Sequence, residues 1–197
     1  MTCIIGYKDK KNNKVYIGAD SCVSNGVSKH IANDGFKIFK SDKNNNILMA
    51  ICGTVRAAQT LKYGFDFPAE NELLLKEESF DEKYIVTKII PKLQNMFEKQ
   101  RVLEKDNFVR LGFLLAYKDK LWTIDSDFSV MEYIDDYLVD GSGCYFAEGS
   151  LHTTKDMDIS IEDKILMGLR AGCIEPHVAP PFFIMNTLDD EIIKKES

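Results

Sequence analysis

Four strand-like runs come before any helical period in this chain, and that block order constrains its fold more tightly than its composition does. Residues 2–7 (Thr2-Cys3-Ile4-Ile5-Gly6-Tyr7) and 15–20 (Val15 to Asp20) read as strands of a hairpin, joined by the polar turn Lys8 to Lys14. A polar, glycine-bearing loop is expected up to Gly35. Phe36 to Lys40 then alternates like a half-buried strand. After a turn over 41–46, Ile47 to Cys52 is a continuously apolar strand ending at Gly53.

From Thr54 the period changes. Val55, Ala58 and Leu61 share one helical face behind Thr54 as an N-cap, and Gly64 and Pro68 close that segment. A longer helix, about Asp81 to Val102, carries Ile85, Ile89, Leu93, Met96 and Phe97 three or four apart. Pro91 predicts a kink or a tightened turn within it. Strands return at Val109–Tyr117, Leu121–Asp125 and Val130–Val139, and Asp140-Gly141-Ser142-Gly143 makes a tight loop. Helices follow at about Cys144–His152 and Ile161–Cys173. Ser160 and Asp163 open the second in capping-box spacing, and Ile161, Ile165, Leu166 and Leu169 form its apolar face. A last strand, Pro181–Asn186, leads to a charged tail. Segregated blocks of this kind suit an α+β, four-layer α-β-β-α sandwich of two antiparallel sheets covered by helices.

With 197 residues, the chain is expected to form one domain over 1–197. A net charge of −6 gives no footprint for nucleic acid or an anionic membrane surface. The apolar stretch behind Met1 is too short for a secretory leader and no segment is long enough to span a bilayer, so a cytoplasmic address is expected. Five scattered cysteines without a C-x-x-C pair match neither a disulfide framework nor a zinc site, and the three histidines share no ligand spacing. Asp125, Asp127, Asp135, Asp136 and Asp140 could suggest a cation site, though strand-end acids are more often a solvated rim. Glu175 and His177 are not expected to face each other.

Thr2 taken alone reads as the first residue of a β-strand, and it also offers a nucleophile. Once Met1 is removed, one residue holds both a hydroxyl nucleophile and a free α-amine, a pairing that activates a hydroxyl without histidine. Threonine at the second position is small enough for ordinary methionine trimming. Cys3 as nucleophile would require cleavage after Thr2, for which the sequence gives no reason.

Thr2, Gly18-Ala19-Asp20-Ser21, Phe36-Lys37-Ile38, Gly53 and Gly141-Ser142-Gly143, taken in that order, resemble the motifs of proteasome β-type subunits. Among these N-terminal-nucleophile hydrolases the chain is most similar to the bacterial HslV-like peptidases. The resemblance implies a threonine-type endopeptidase. Thr2 would be the nucleophile and its amine, with a reference pKa of about 7.7–8.0, the base. Lys37 would hold that amine neutral, Asp20 would neutralise and aim Lys37, Gly53 N–H would face the oxyanion, and Ser142 would hold the amine or a water. Substrate would lie as an added strand near Ser24 and Gly53, with Ile51 and Val55 lining an apolar specificity pocket. It also implies self-association into rings around peptide or unfolded-protein substrate. An ATP-dependent unfoldase partner and a structural monovalent or divalent cation are compatible with it, and no cofactor is required. One segment departs from the family: Ala171-Gly172-Cys173-Ile174-Glu175-Pro176-His177 lacks the Asp-x-x-Ser-Gly that supports the threonine amine in many β-subunits. Two rival readings remain, a non-catalytic structural subunit that keeps Met1 and an N-terminal-threonine amidase acting on a small amide.

Overall fold

Alternation along the strands builds the two sheets and decides what each face meets. In a computed structural model, which describes residues 1–32 and 35–196, strands β1 (Ile4–Asp9), β2 (Lys14–Ala19), β10 (Tyr137–Asp140), β11 (Phe182–Asn186) and β12 (Ile193–Lys195) form one antiparallel sheet. Its order is β10-β1-β2-β11-β12. The second sheet runs β5-β6-β7-β8-β9, from β5 (Ile38–Ser41), β6 (Asn44–Gly53), β7 (Leu111–Tyr117), β8 (Lys120–Ile124) and β9 (Val130–Glu132). Ile4, Val15, Ile17 and Ala19 face inward against Leu48, Ala50, Leu114 and Ala116, and close the seam between the sheets.

The neighbouring residue on each strand points the other way. Ile5, Tyr7 and Tyr16 face α5 (Cys144–Thr154) and α6 (Ile161–Gly172), beside Leu151, Ile165 and Leu169. Ile47, Met49, Ile51, Phe113 and Leu115 face the other helical layer, α1 (Val55–Gly64), α2 (Glu70–Leu75), α3 (Glu82–Tyr84) and α4 (Ile90–Lys99). Both faces of these strands are therefore buried, which is why Ile47–Cys52 of β6 and Phe113–Tyr117 of β7 read as unbroken apolar runs. The expected α-β-β-α sandwich is the fold.

Several local expectations needed correction. The run Val130–Val139 is two strands in different sheets, because the chain crosses from one sheet to the other at 133–136, where Ile134 is exposed. The polar loop before Gly35 contains a small hairpin, β3 (Cys22–Ser24) with β4 (Lys29–Ile31); its residues Asn33 and Asp34, and Ser197 of the tail, lie outside the described residues. The tail itself adds β12 to the first sheet. The helix α2 was not anticipated; it buries only Leu73 and so carries little periodic signal. Thr54 is the N-cap of α1 by position, but its side chain makes no capping bond, and Val55 is 41% exposed while Ala58 and Leu61 are buried.

Pro91 widens its helix rather than tightening it. Residues Ile85–Ile89 between α3 and α4 form a π-turn, in which Ile90 N–H donates to Ile85 O, five residues back. The wider turn draws the preceding carbonyls away from the proline ring, the clash that otherwise kinks a helix. Ser160 caps α6 as expected, its Oγ accepting from Asp163 N–H at 3.0 Å and donating to the Asp163 carboxylate at 2.8 Å. No helix among the described residues is long and apolar enough to cross a membrane.

Candidate active site

Strand register brings the residues around Thr2 together. Ile4 pairs with Ala19 on one side and with Asp140 on the other, so Asp20 and the 141–143 loop must flank the two residues before it. Thr2 is only 3% exposed there. The Asp20 carboxylate accepts four hydrogen bonds. Its Oδ1 takes Cys3 N–H at 2.9 Å and Lys37 Nζ at 2.6 Å; its Oδ2 takes Cys22 N–H at 2.9 Å and Ala179 N–H at 3.3 Å. A fully buried carboxylate is stable only with such a complement.

Lys37 precedes β5 and reaches across from the second sheet. Its side chain is 6% exposed, and its Nζ also donates to the Met1 carbonyl at 3.2 Å. The buried ammonium thus lies between a carboxylate and the carbonyl attached to Thr2 N. The loop after β10 closes the opposite side. Thr2 N–H donates to Ser142 Oγ at 3.4 Å, and Gly143 N–H donates to Thr2 O at 3.1 Å. Gly141 has φ +95°, and a Cβ on it would sit 2.2 Å from Thr2 O, so both conformation and closeness require glycine.

Gly53 ends β6 beside these groups. Ile51 N–H donates to Lys37 O, while Thr54 N–H is turned to the other edge and donates to Arg110 O at 2.9 Å. By strand alternation Gly53 N–H leaves β6 on the Lys37 edge, beyond the start of β5, where no strand of the described residues covers it. Its φ of +144° and a Cβ position 2.3 Å from Arg110 O exclude a side chain. A cleft of about 280 Å³ opens there, lined by Thr2, Ser24, Phe36, Ile51, Val55 and Ala58 among others.

Every residue to which the family resemblance gives a role therefore borders this region. Thr2, Asp20, Lys37, Gly53 and Ser142 converge on the Thr2 end of the two sheets, and Ser24, Ile51 and Val55 line the cleft.

Sequence reasoning missed three contributors. Ala179 supplies only a backbone N–H, which carries no sequence signal. Cys52 precedes Gly53 at the end of β6; burial pushes its thiol up to about 11, with the Asp140 carboxylate adding to the rise. Asp140 is not a solvated rim residue. It is half-buried, its Oδ1 accepts Gly141 N–H at 2.6 Å, and desolvation together with Asp125 raises its carboxyl above the usual range. The five aspartates do not form a metal centre: no group of three His, Cys, Asp or Glu side chains among the described residues is disposed to hold an ion. Cys3 is fully buried, and desolvation raises its thiol far above the ordinary range, with Asp20 acting in the same direction, so it is no nucleophile.

The family model for the proteasome subunit matches residues 2–171. The chain belongs to the proteasome subunit family. Solved structures agree in fold at low identity. BPH from Thiobacillus denitrificans in complex with epoxomicin superposes with a TM-score of 0.71 at 16% identity, with all of both chains covered. HslV from Trypanosoma brucei gives 0.67 at 16%, over 94% of this chain and 98% of that one. An Anbu mutant from Hyphomicrobium sp. strain MC1 gives 0.71 at 11%, over 100% and 88%. No curated protein sequence matches the chain. The fold is thus that of the proteasome and HslV type of N-terminal-nucleophile hydrolase.

In this proteasome-family chain the divergent segment after α6 serves the site through its backbone. Pro176 O accepts from Lys29 Nζ at 3.2 Å, tying the segment to β4, and Ala179 N–H reaches Asp20. Contrary to expectation, Glu175 and His177 do meet, with Oε1 3.3 Å from Nδ1.

Proposed function

We propose that this chain, once it begins at Thr2, is a threonine-type endopeptidase that cleaves peptides or unfolded protein within a ring of its own copies. The observation that carries the reading is the position of Lys37 Nζ, 2.6 Å from Asp20 and 3.2 Å from the Met1 carbonyl, with Ser142 Oγ on Thr2 N. Removing Met1 leaves an amine beside a fixed positive charge. A neighbouring cation favours the neutral form of an amine, and only that form can accept a proton.

The steps follow from these groups. The α-amine takes the proton of the Thr2 hydroxyl, directly or through one water, and Oγ1 attacks the substrate carbonyl. Gly53 N–H donates to the developing oxyanion, in surroundings where a fixed dipole is worth more than in water. As the tetrahedral intermediate collapses, the C–N bond breaks and the ammonium of Thr2 protonates the leaving amine. Water, deprotonated by the same amine, then hydrolyses the ester to a carboxylic acid and free Thr2. The scheme uses only groups of the chain. Ile51, Phe36, Val55 and Ala58 make the cleft apolar, which favours an apolar side chain before the cut.

A peptide epoxyketone tests this directly. Incubated with protein whose intact mass shows Thr2 at the N-terminus, it is expected to form an adduct that maps to Thr2 and to block peptide cleavage, and Thr2→Ala should abolish both. Correctly trimmed protein that forms no adduct and cleaves neither peptides nor small acyl amides would refute the reading.

The second reading, a non-catalytic subunit retaining Met1, is favoured by one observation. The segment Ala171–His177 brings no serine or aspartate to Thr2 N. Intact mass of the native protein separates the two.

A further inference from the structure

Two clefts meet at Thr2, and their chemistries differ. The apolar one described above shares Met1, Gly53 and Thr54 with a second cleft of about 700 Å³. Met1 stands at the junction, so its removal joins the two into one groove running past Gly53. The acyl part of a substrate, lying along β3, occupies the apolar end. Whatever follows the scissile bond leaves through the other.

That second end is anionic. Asp140, Asp125 and Asp127 line it, along with a single basic side chain, Arg110. Arg110 Nε is already paired with Glu104 at 2.9 Å, and its side chain is largely exposed. Asp127 is occupied by Ser129, which donates from its N–H at 2.9 Å and its Oγ at 2.6 Å. Asp140 is different: apart from Gly141 N–H its carboxylate has no donor among the described residues, and Asp125 is the charge that acts on it. A half-buried carboxylate sharing a cleft with other acids, where the one basic side chain among the described lining residues is paired with Glu104, is a repulsive arrangement that an incoming positive charge relieves.

We propose that this cleft receives a basic side chain, lysine or arginine, of the residue that follows the cut, with Asp140 as the specificity-determining carboxylate and Asp125 in support. The direction of the substrate rests on the peptidase reading; the charge preference does not. The groove selects an apolar side chain before the bond and a cationic one after it.

Binding and cleavage test the proposal separately. Two peptides with the same apolar residue, followed by Lys in one and Glu in the other, are titrated against Thr2→Ala protein freed of Met1. The Lys peptide is expected to bind about tenfold tighter, the order of one partly screened attraction replaced by a repulsion. The ratio should narrow in high salt. It should also fall to about threefold or less in Asp140→Asn or Asp125→Asn, either of which suffices if the other fails to fold. Equal affinities, no binding of either peptide, or a ratio that neither variant changes overturns the proposal. Cleavage by the Thr2 protein without a Lys preference also overturns it while leaving the peptidase reading intact. Selective binding without cleavage has the opposite meaning: the cleft is as proposed and the peptidase reading fails.

Discussion

Breaking the Lys37–Asp20 pair should destabilise the whole sandwich, and the structure sets the size of the effect. The two side chains are 6% and 0% exposed and 2.6 Å apart, so neither survivor of a single substitution can recover its charge by turning to water. Removing one partner of a buried pair costs about 3–5 kcal/mol. In Lys37→Met the Asp20 carboxylate keeps three backbone N–H donors, from Cys3, Cys22 and Ala179, which places this variant near the lower end, about 3 kcal/mol. Asp20→Asn leaves the ammonium without a counter-charge, with only neutral oxygen acceptors, and turns a carboxamide NH2 against backbone N–H groups, so it should cost about 4–5 kcal/mol. The double variant should cost less than the sum of the singles by about 2 kcal/mol, because it strands no buried charge. Urea unfolding of all four proteins measures this, and each kcal/mol corresponds to roughly 2–4 °C in Tm at this size. Single variants within about 0.5 kcal/mol of the parent, or strictly additive losses, would refute the account of a buried, mutually dependent pair.

Other outcomes follow from the same geometry. Gly53→Ala combines φ +144° with a 2.3 Å clash against Arg110 O, so it should lower Tm by several degrees and reduce epoxyketone labelling of Thr2, both read on one preparation. The Asp140 carboxyl is raised above its unfolded value, so its contribution to stability is present below the ordinary carboxylate range and is lost as pH rises through the folded value. Asp140→Asn, whose amide oxygen can still accept Gly141 N–H, should therefore melt higher than the parent at pH 7, and thermal scans should show that advantage vanishing towards pH 3. With Cys52 pushed up to about 11 and Cys3 fully buried, neither thiol should react appreciably with iodoacetamide at pH 7.5, as peptide mass mapping would reveal. Rapid alkylation of either would contradict the burial described.

Much of this protein is legible in its linear order. The inward and outward alternation of Ile4/Ile5 and Leu48/Met49, the stripe Ile85-Ile89-Leu93-Phe97 and the Ser160 cap are local patterns, because side-chain direction follows from strand and helix periods alone. Strand strength was legible where both faces are apolar and invisible where it was not: β3 and β4 are three residues each, buried only at Cys22, and exist because they pair with one another. The split of Val130–Val139 between two sheets was equally hidden, since nothing local says which sheet a strand joins.

The candidate site divides along the same line. Thr2, Asp20, Lys37, Gly53 and Ser142 could be named from motif order. Their convergence depends on Ile4 pairing at once with Ala19 and Asp140 and on the second sheet packing so that Lys37 crosses the seam. Sequence could not separate Asp140 from its neighbours Asp135 and Asp136, for all three are strand-end acids in one short stretch. Only the tertiary structure turns one of them inward beside Gly141, because burial belongs to the assembled layers rather than to any residue within them.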